Sequence, residues 1–372
     1  MRQNILITGG AGFIGSHVVD ELLEHGYAVR VLDNLTPQVH GAMAQRPEYL
    51  DGRAELVIGD VRDAACVRRA LAGVDAVVHL AAAVGVGQSM YRICEYTETN
   101  NVGTAVLLEE LSRHKVSRLV VASSMSIYGE GRYRDGDGVV HDDVERSYDE
   151  LRAGRWEPRT RGGGDLIPLP TPEEKTPCLS SVYALSKYDQ ERLCLIVGRA
   201  YGIPTVALRF FNTYGPRQAL SNPYTGVLAI FASRLLNDKA PLIFEDGAQR
   251  RDFVSVYDVA RACRLALVSP SAPGAAINVG SGRAVRIVDV ARRLADMLGK
   301  NFLAPEVSGK YRVGDIRHCF ADIGRARELL GYEPLVDFDA GLARLTGWLR
   351  AQTAVDGWEA ACRELEARGL TV

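Results

Sequence analysis

The residues best equipped for chemistry are a tyrosine and a lysine four apart, in Tyr183-Ala184-Leu185-Ser186-Lys187. At i and i+4 the two side chains share one helix face, so the ammonium lies near the phenol. A free phenol has a pKa of about 10 and is a poor base at neutral pH. A neighbouring positive charge favours the phenolate and lowers that value. Ser124 closes the apolar run Arg118-Leu119-Val120-Val121-Ala122-Ser123-Ser124 and supplies a hydroxyl that can orient a substrate alcohol. Together Ser124, Tyr183 and Lys187 form a catalytic set suited to moving a proton off and onto an alcohol oxygen.

Proton removal becomes oxidation when a hydride acceptor is at hand, and the start of the chain offers a place for one. Thr8-Gly9-Gly10-Ala11-Gly12-Phe13-Ile14-Gly15 follows the short apolar run Ile5-Leu6-Ile7. It opens a segment whose Val18, Val19, Leu22 and Leu23 recur at helical spacing. Strand, glycine turn and helix form the context of a dinucleotide-phosphate loop. The glycines let the backbone approach a pyrophosphate, and the helix N-terminus offers free N–H groups to its charge. Gly9, Gly12, Phe13, Ile14 and Gly15 are therefore assigned to the cofactor. Asp33, 18 residues past Gly15, ends the next strand and is followed by Asn34. A carboxylate there bonds the adenosine ribose and repels a 2′-phosphate, which points to NAD over NADP.

The elements that must position these groups follow in order. Ala54 to Val61 reads as a third strand whose Asp60-Val61 end meets the adenine edge. Val74 to Ala83 reads as a fourth, running into Leu80-Ala81-Ala82, small enough for close passage beside a cofactor. His79 reads as a packed core histidine. Asn101, in the Asn100-Asn101-Val102-Gly103-Thr104 opening of an apolar-periodic helix, completes this stretch of the cofactor set. Near-continuous apolar strands alternating with helices indicate an α/β fold with a doubly wound parallel sheet. Gly9 to Gly15, Asp33, Asp60, Ala81 and Ser124 all fall at the carboxyl ends of strands, where such sheets bind ligands.

Composition bounds the rest. At 372 residues the chain is long for one core. A net charge of −2 gives no reason to expect a nucleic acid partner. No apolar run approaches the roughly 18 residues of a membrane span. Strand-like sequence at the N-terminus in place of a leader pattern predicts a cytoplasmic protein. The cysteines are scattered with no Cys-x-x-Cys pair, which reads as reduced thiols and not as a disulfide frame.

The glycine loop, Ser123-Ser-Met-Ser-Ile-Tyr-Gly129 and Tyr183-x-x-x-Lys187 resemble the extended short-chain dehydrogenase/reductase family, in its sugar-nucleotide epimerase/dehydratase branch. Leu208-Arg-Phe-Phe-Asn-Thr-Tyr-Gly-Pro-Arg217, Arg250-Arg-Asp-Phe-Val-Ser-Val-Tyr-Asp-Val259 and Ala276-Ile-Asn-Val-Gly280 match as well. The resemblance spans nearly the whole chain. It implies a Rossmann domain over 1–210 plus about 252–281, and a smaller α/β substrate lobe over 211–251 plus 282–372. It implies that Tyr183, Lys187 and Phe210 also touch the cofactor. It implies a nucleotide-sugar substrate held by Val84, Ser124, Ser126, Asn212, Arg217, Val227, Arg251 and Arg317, the last two on the diphosphate. A homodimer paired through the helices from Gly103 and Tyr183 is also implied.

Dehydratases of this branch carry an Asp-Glu pair directly after the catalytic Ser/Thr, and decarboxylases a Glu two residues after it. Here Met125 and Ser126 stand there. What remains is redox without elimination, which is how 4-epimerases of the family work, through a 4-keto sugar. The alternatives are a UDP-hexose 4-epimerase, a dehydratase, decarboxylase or reductase on the same scaffold, and a non-catalytic NAD-binding regulator, against which the intact Ser124, Tyr183 and Lys187 count. The 47 residues of 130–176 interrupt the pattern beside the active site. An insertion that long is a lid, a binding element or disorder, and Tyr133 and Trp156 are its candidate anchors. Relatives with a similar insertion often carry paired cysteines there; this chain has Arg159-Thr-Arg-Gly-Gly-Gly-Asp165, so no metal is expected. The insertion and Gln218-Ala-Leu-Ser-Asn-Pro-Tyr-Thr-Gly226 look most like members that act at C4 of dTDP-L-rhamnose. Val84, where galactose-type members often have lysine, suits a 6-deoxy sugar.

Overall fold

The structure, a computed structural model, describes residues 2–42, 45–312 and 314–371. Its centre is a seven-stranded parallel sheet of β1 (Asn4–Thr8), β2 (Ala28–Asp33), β3 (Glu55–Ile58), β4 (Ala76–His79), β5 (Arg118–Ser124), β6 (Thr205–Phe210) and β7 (Ala276–Val279). The order is β7-β6-β5-β4-β1-β2-β3. Side chains alternate across a strand, and both faces of this sheet are buried. Ile5, Ile7, Val29, Val31, Val78 and Val120 pack under α1 (Phe13–Glu24) and the helix Val256–Val268. Leu6, Leu32, Val77, Leu119 and Val121 pack against α2 (Ala64–Leu71), α3 (Gly103–Arg113) and α4 (Val182–Tyr201). That two-sided burial is why the strands read as apolar runs.

Two termini matter for the site. Helix α1 has Gly12 at its N-cap with no side-chain cap, which leaves its first N–H groups free. Helix α4 is capped by Ser181, whose Oγ accepts from the Ala184 N–H at 3.1 Å, and it ends at left-handed Gly202. Tyr183 and Lys187 therefore sit in a well-formed first turn and a half.

A second core gathers the helices Val227–Leu236, Ile287–Met297 and Phe338–Leu349. The first core also takes in Cys319, Ala321, Ile323, Ala326, Leu330 and Tyr332, from a stretch the sequence reading assigns to the smaller lobe. The insertion forms a three-stranded antiparallel sheet, with Arg132–Arg134 between Val140–His141 and Ile167–Leu169. Tyr133 is its buried centre beside Val144 and Leu166, and Trp156 packs on Tyr311 with ring centroids 6.3 Å apart. No helix among the described residues is long and apolar enough to cross a membrane.

Candidate active site

The glycine loop leaves no room for side chains. A Cβ at Gly9, which has φ +70°, would lie 2.8 Å from the Ala81 nitrogen, and one at Gly15 would lie 2.2 Å from the Gly9 oxygen. The loop is thus pressed against the end of β4, and Leu80, Ala81 and Ala82 pass close beneath it. Asp33 accepts from the Ala11 N–H at 3.0 Å and the Leu35 N–H at 2.9 Å, which fixes its carboxylate beside the loop. Asn34 bonds Asp60 across to the end of β3 at 3.2 Å. Hydrogen bonds from Arg62 hold the Asp60 carboxyl at about 2, with Val61 buried alongside. A loop whose Gly9 and Gly15 admit no Cβ, an uncapped helix terminus and a placed carboxylate make a cradle that fits a dinucleotide.

Asparagine 101 is not part of this cradle. Its Nδ2 bonds Asp189 at 2.6 Å, while the neighbouring Asn100 is fully buried against β4. Asn100 accepts from the Ala83 N–H at 2.7 Å and donates to the Ala83 carbonyl at 3.1 Å and Ser186 Oγ at 2.9 Å. The reason is local: residues Thr97–Val102 form a π-helical turn, which rotates the facing position by one residue relative to an α-helix.

The catalytic set does come together. Ser124 stands opposite Phe210 in the β5–β6 register, and its hydroxyl lies near enough to the Tyr183 phenol to favour the phenolate. Ser126 donates from both its hydroxyl, at 2.8 Å, and its backbone N–H, at 3.2 Å, to Ser124 Oγ. Ser126 therefore acts on Ser124, not directly on the pocket. The Tyr183 N–H donates to Ser89 Oγ at 3.0 Å, tying α4 to the turn Val86–Ser89. Burial pushes the Tyr183 phenol above its usual value, and the nearby Ser124 hydroxyl offsets this in part. The expected help from Lys187 is not seen: its Nζ bonds Gln190 Oε1 at 2.6 Å, and burial pulls the amine down to about 8.

On the substrate side, Asn212 has its Oδ1 buried with no hydrogen-bond partner among the described residues, an acceptor that a bound hydroxyl would satisfy. Val84 is half exposed at the end of β4, and Val227 opens a helix whose N-terminus has no side-chain cap. Arg251 donates to the carbonyls of Arg250, Ile316 and Arg317 and lies 3.7 Å from Asp315. Arg217 pairs with Asp20 of α1 at 2.7 Å and stacks over Tyr49, on the dinucleotide side.

Arginine 317 cannot take a phosphate. It is fully buried, and each of its five N–H donors meets a carboxylate of Glu157, Glu245 or Asp246 within 3.0 Å. Arg312, which the sequence leaves evenly balanced between a solvated surface charge and a phosphate contact, is placed differently. It stacks over Phe244, pairs with Asp315 at 3.2 Å, and has a buried Nε with no partner among the described residues. Arg312 lines a small open cleft with Asp315, Val86, Gly87, Met90 and Leu365. Leu365 belongs to the helix Trp358–Ala367, held there by Glu364 near Tyr91 and Tyr224, whose hydroxyls are 2.6 Å apart. Only the Arg-x-Gly-Asp run at 312–315 signals this in the sequence.

Known proteins agree with this geometry. The family model of the NAD dependent epimerase/dehydratase family matches residues 5–148 and 162–280. A dTDP-L-rhamnose 4-epimerase of Burkholderia thailandensis is 36% identical over 93% of this chain and 95% of its own. A protein of Methanocaldococcus jannaschii described as a putative UDP-glucose 4-epimerase is 32% identical, over 93% of this chain and 98% of that one. The crystal structure of UDP-glucose 4-epimerase from Thermotoga maritima with UDP-glucose superposes with a TM-score of 0.76, at 32% identity, covering 94% and 99% of the two chains. That of UDP-glucuronic acid 4-epimerase from Bacillus cereus, in complex with UDP-glucuronic acid and NAD, gives 0.75 at 27% identity, over 94% and 99%. With these motifs, this sheet and this cradle, the chain belongs to the NAD dependent epimerase/dehydratase family.

Proposed function

We propose that the chain is an NAD-dependent 4-epimerase of a nucleotide sugar, and that its substrate is dTDP-L-rhamnose, giving dTDP-6-deoxy-L-talose. The observation that carries the reaction type is the end of β5. Ser124 closes β5 beside the Tyr183 phenol, yet Met125 and Ser126, which follow it, bring no carboxylate there. Water elimination and decarboxylation need such a group, and transient oxidation at C4 does not. The rhamnose reading is supported by the Burkholderia relative and by apolar Val84. UDP-hexose 4-epimerisation is the second reading, favoured by the Methanocaldococcus and Thermotoga relatives.

When bound, NAD+ supplies a hydride acceptor and a positive ring beside the phenol. Gly9 to Gly15 and Asp33 would hold it. Tyr183 takes the proton of the 4-hydroxyl, while Ser124, with Ser126 donating to it, directs its own proton to that oxygen. After the 4-keto sugar turns over, Tyr183 returns the proton. Ser124 and Lys187 are buried and Tyr183 is partly so, which limits the access of bulk water to the exchange.

The same reading includes a homodimer. Leu193 and Leu195 are taken up by the chain's own core, but Val102, Leu185 and Ile196 remain about half exposed around α3 and α4. A monomer by light scattering at micromolar concentration overturns that part.

Proton NMR of the protein with a panel of dTDP-, UDP- and GDP-sugars tests the whole. Epimer formation from dTDP-L-rhamnose without loss of water or carbon dioxide is expected. Elimination, decarboxylation or steady NADH release would replace the reading.

A further inference from the structure

Behind Lys187 lies a run of polar side chains with no place in the reaction just described, although its meaning rests on that reading. Lys187 Nζ donates to Gln190 Oε1 at 2.6 Å, and Gln190 Nε2 donates to Thr104 Oγ1 at 2.8 Å. Thr104 spends its own proton on the Asn100 carbonyl at 2.6 Å. His79 Nε2 is 3.0 Å from the same Thr104 oxygen, and His79 Nδ1 is 2.7 Å from Thr8 Oγ1 at the head of the glycine loop. Thr8 in turn accepts from the Ala81 N–H at 3.3 Å. Thr8, His79, Thr104, Gln190 and Lys187 are all buried.

Thr104 gives its proton to the Asn100 carbonyl, so a neutral His79 donates from Nε2 to Thr104 and accepts from Thr8 on Nδ1. The Gln190 amide nitrogen, 3.4 Å from His79 Nε2, is then aimed at Thr104 and not at the imidazole. Burial and the nearby Lys187 charge pull the His79 imidazole down to about 3, which keeps it neutral. Thr104 likewise cannot donate to Gln190. A flipped amide would face two acceptors, Thr104 Oγ1 and the Ala81 carbonyl, with its oxygen and the ammonium with its nitrogen. Donors converge on Thr104 from both sides, so the run cannot relay a proton. It can only hold things still.

We propose that Gln190 is a positioning residue that seats the Lys187 ammonium, in the single amide orientation dictated by the Thr8–His79–Thr104 run behind it. One of the three ammonium donors is committed to Gln190, leaving two for the cofactor ribose and the Tyr183 side. The glycine loop and the catalytic lysine then share one internal support. The titratable groups around Lys187 are His79 from β4, and Tyr183, Cys194 and Glu191 from its own helix, with Glu191 paired to Arg209 of β6 at 2.7 Å.

The chain has six lysines, so Nζ of Lys187 can be followed by NMR in the 15N-lysine-labelled protein as purified, assigned by its loss in Lys187→Arg. A hydrogen bond to a charged group is worth enough to move a titration by about one unit. Gln190→Met should lower the Lys187 midpoint by about one unit, and Gln190→Glu should raise it by about as much. Midpoints that do not move, or that move the same way, overturn the proposal. So does an Nδ1-protonated His79 in the unmutated protein, read from its imidazole nitrogen shifts, even where neither variant folds. Opposite shifts with no turnover of any sugar nucleotide would leave Gln190 in its role and remove the epimerase reading instead.

Discussion

Replacing Arg317 by methionine separates a structural arginine from a binding one. Its guanidinium is enclosed by Glu157, Glu245 and Asp246, and Arg146 bridges Glu245 to Glu130 at 2.7 and 3.0 Å. Removing the cation leaves Glu245 buried with half its charge compensation gone, and Asp246 and Glu157 without their fork. Breaking a buried pair in this way costs about 3–5 kcal/mol. At a little over one degree per kcal/mol for a chain of this length, the midpoint of thermal unfolding should fall by roughly 4–6 °C. Glu157 provides a pH arm for the same argument. Burial raises its carboxyl, but bonds from His318 and Arg317 outweigh that and hold it at about 2. A depressed carboxyl stabilises the fold above its unfolded value of about 4.3, and that share is lost as pH falls through about 2. Glu157 is 43% exposed, so solvent screening leaves about 1–2 kcal/mol. Glu157→Gln should therefore melt about a degree or two early at pH 7 and converge on the unmutated protein near pH 2. Melting curves across pH, read beside nucleotide-sugar affinity, are the assay. An Arg317→Met protein that melts normally but binds nucleotide sugar weakly would refute the buried assignment and return Arg317 to the diphosphate.

The complementary substitution, Arg312→Met, should leave the melting temperature within a degree or two and weaken nucleotide-sugar binding by roughly tenfold or more, the worth of a charge-assisted contact; isothermal titration distinguishes the two arginines. Tyr183→Phe should lower kcat by at least about 100-fold while bound NAD is retained after purification, and unchanged turnover removes the mechanism. With the Lys187 amine near 8, kcat should fall as pH rises through about 8. The sign for stability is opposite: the unfolded lysine holds its proton to about 10.4, so the cost of burying this charge is relieved between those values, and stability rises there. Gly15→Ala, whose Cβ would overlap the Gly9 oxygen, should yield protein with little or no NAD.

The sequence was most legible where one residue type at one backbone position does the work. Glycines that cannot tolerate a Cβ, strand ends and the i, i+4 pair all emerge from local spacing, and the parallel sheet from apolar runs buried on two sides. What spacing could not reveal was set by distant partners. The π-helical turn before α3 sets Asn101 on Asp189 and Asn100 on Ala83, and no residue between 97 and 102 announces it. Lys187 faces Gln190 in place of Tyr183 because Thr104 and His79 fix the amide. Arg317 and Arg312 are five apart in a basic stretch and look equivalent. The carboxylates that claim the first lie in the insertion and near residue 245, while the second is left beside the cleft.

The insertion's ion-pair cluster also bears on how the molecule assembles. Arg317 and Glu157 are 160 residues apart, and Arg146 and Glu245 are 99 apart. Until every segment has arrived, each charge is better off in water, because burying one without its counterparts costs several kcal/mol. Closing loops of this length carries an entropy cost that must be met before any contact repays it. Docking of the insertion should thus be an all-or-none, late event, made after the pairing of Leu242–Ile243 with Glu306–Val307 has brought the segments of Glu245 and Arg317 together. Salt, which weakens the long-range attraction between the unburied charges, should slow that last step more than it disturbs the finished fold.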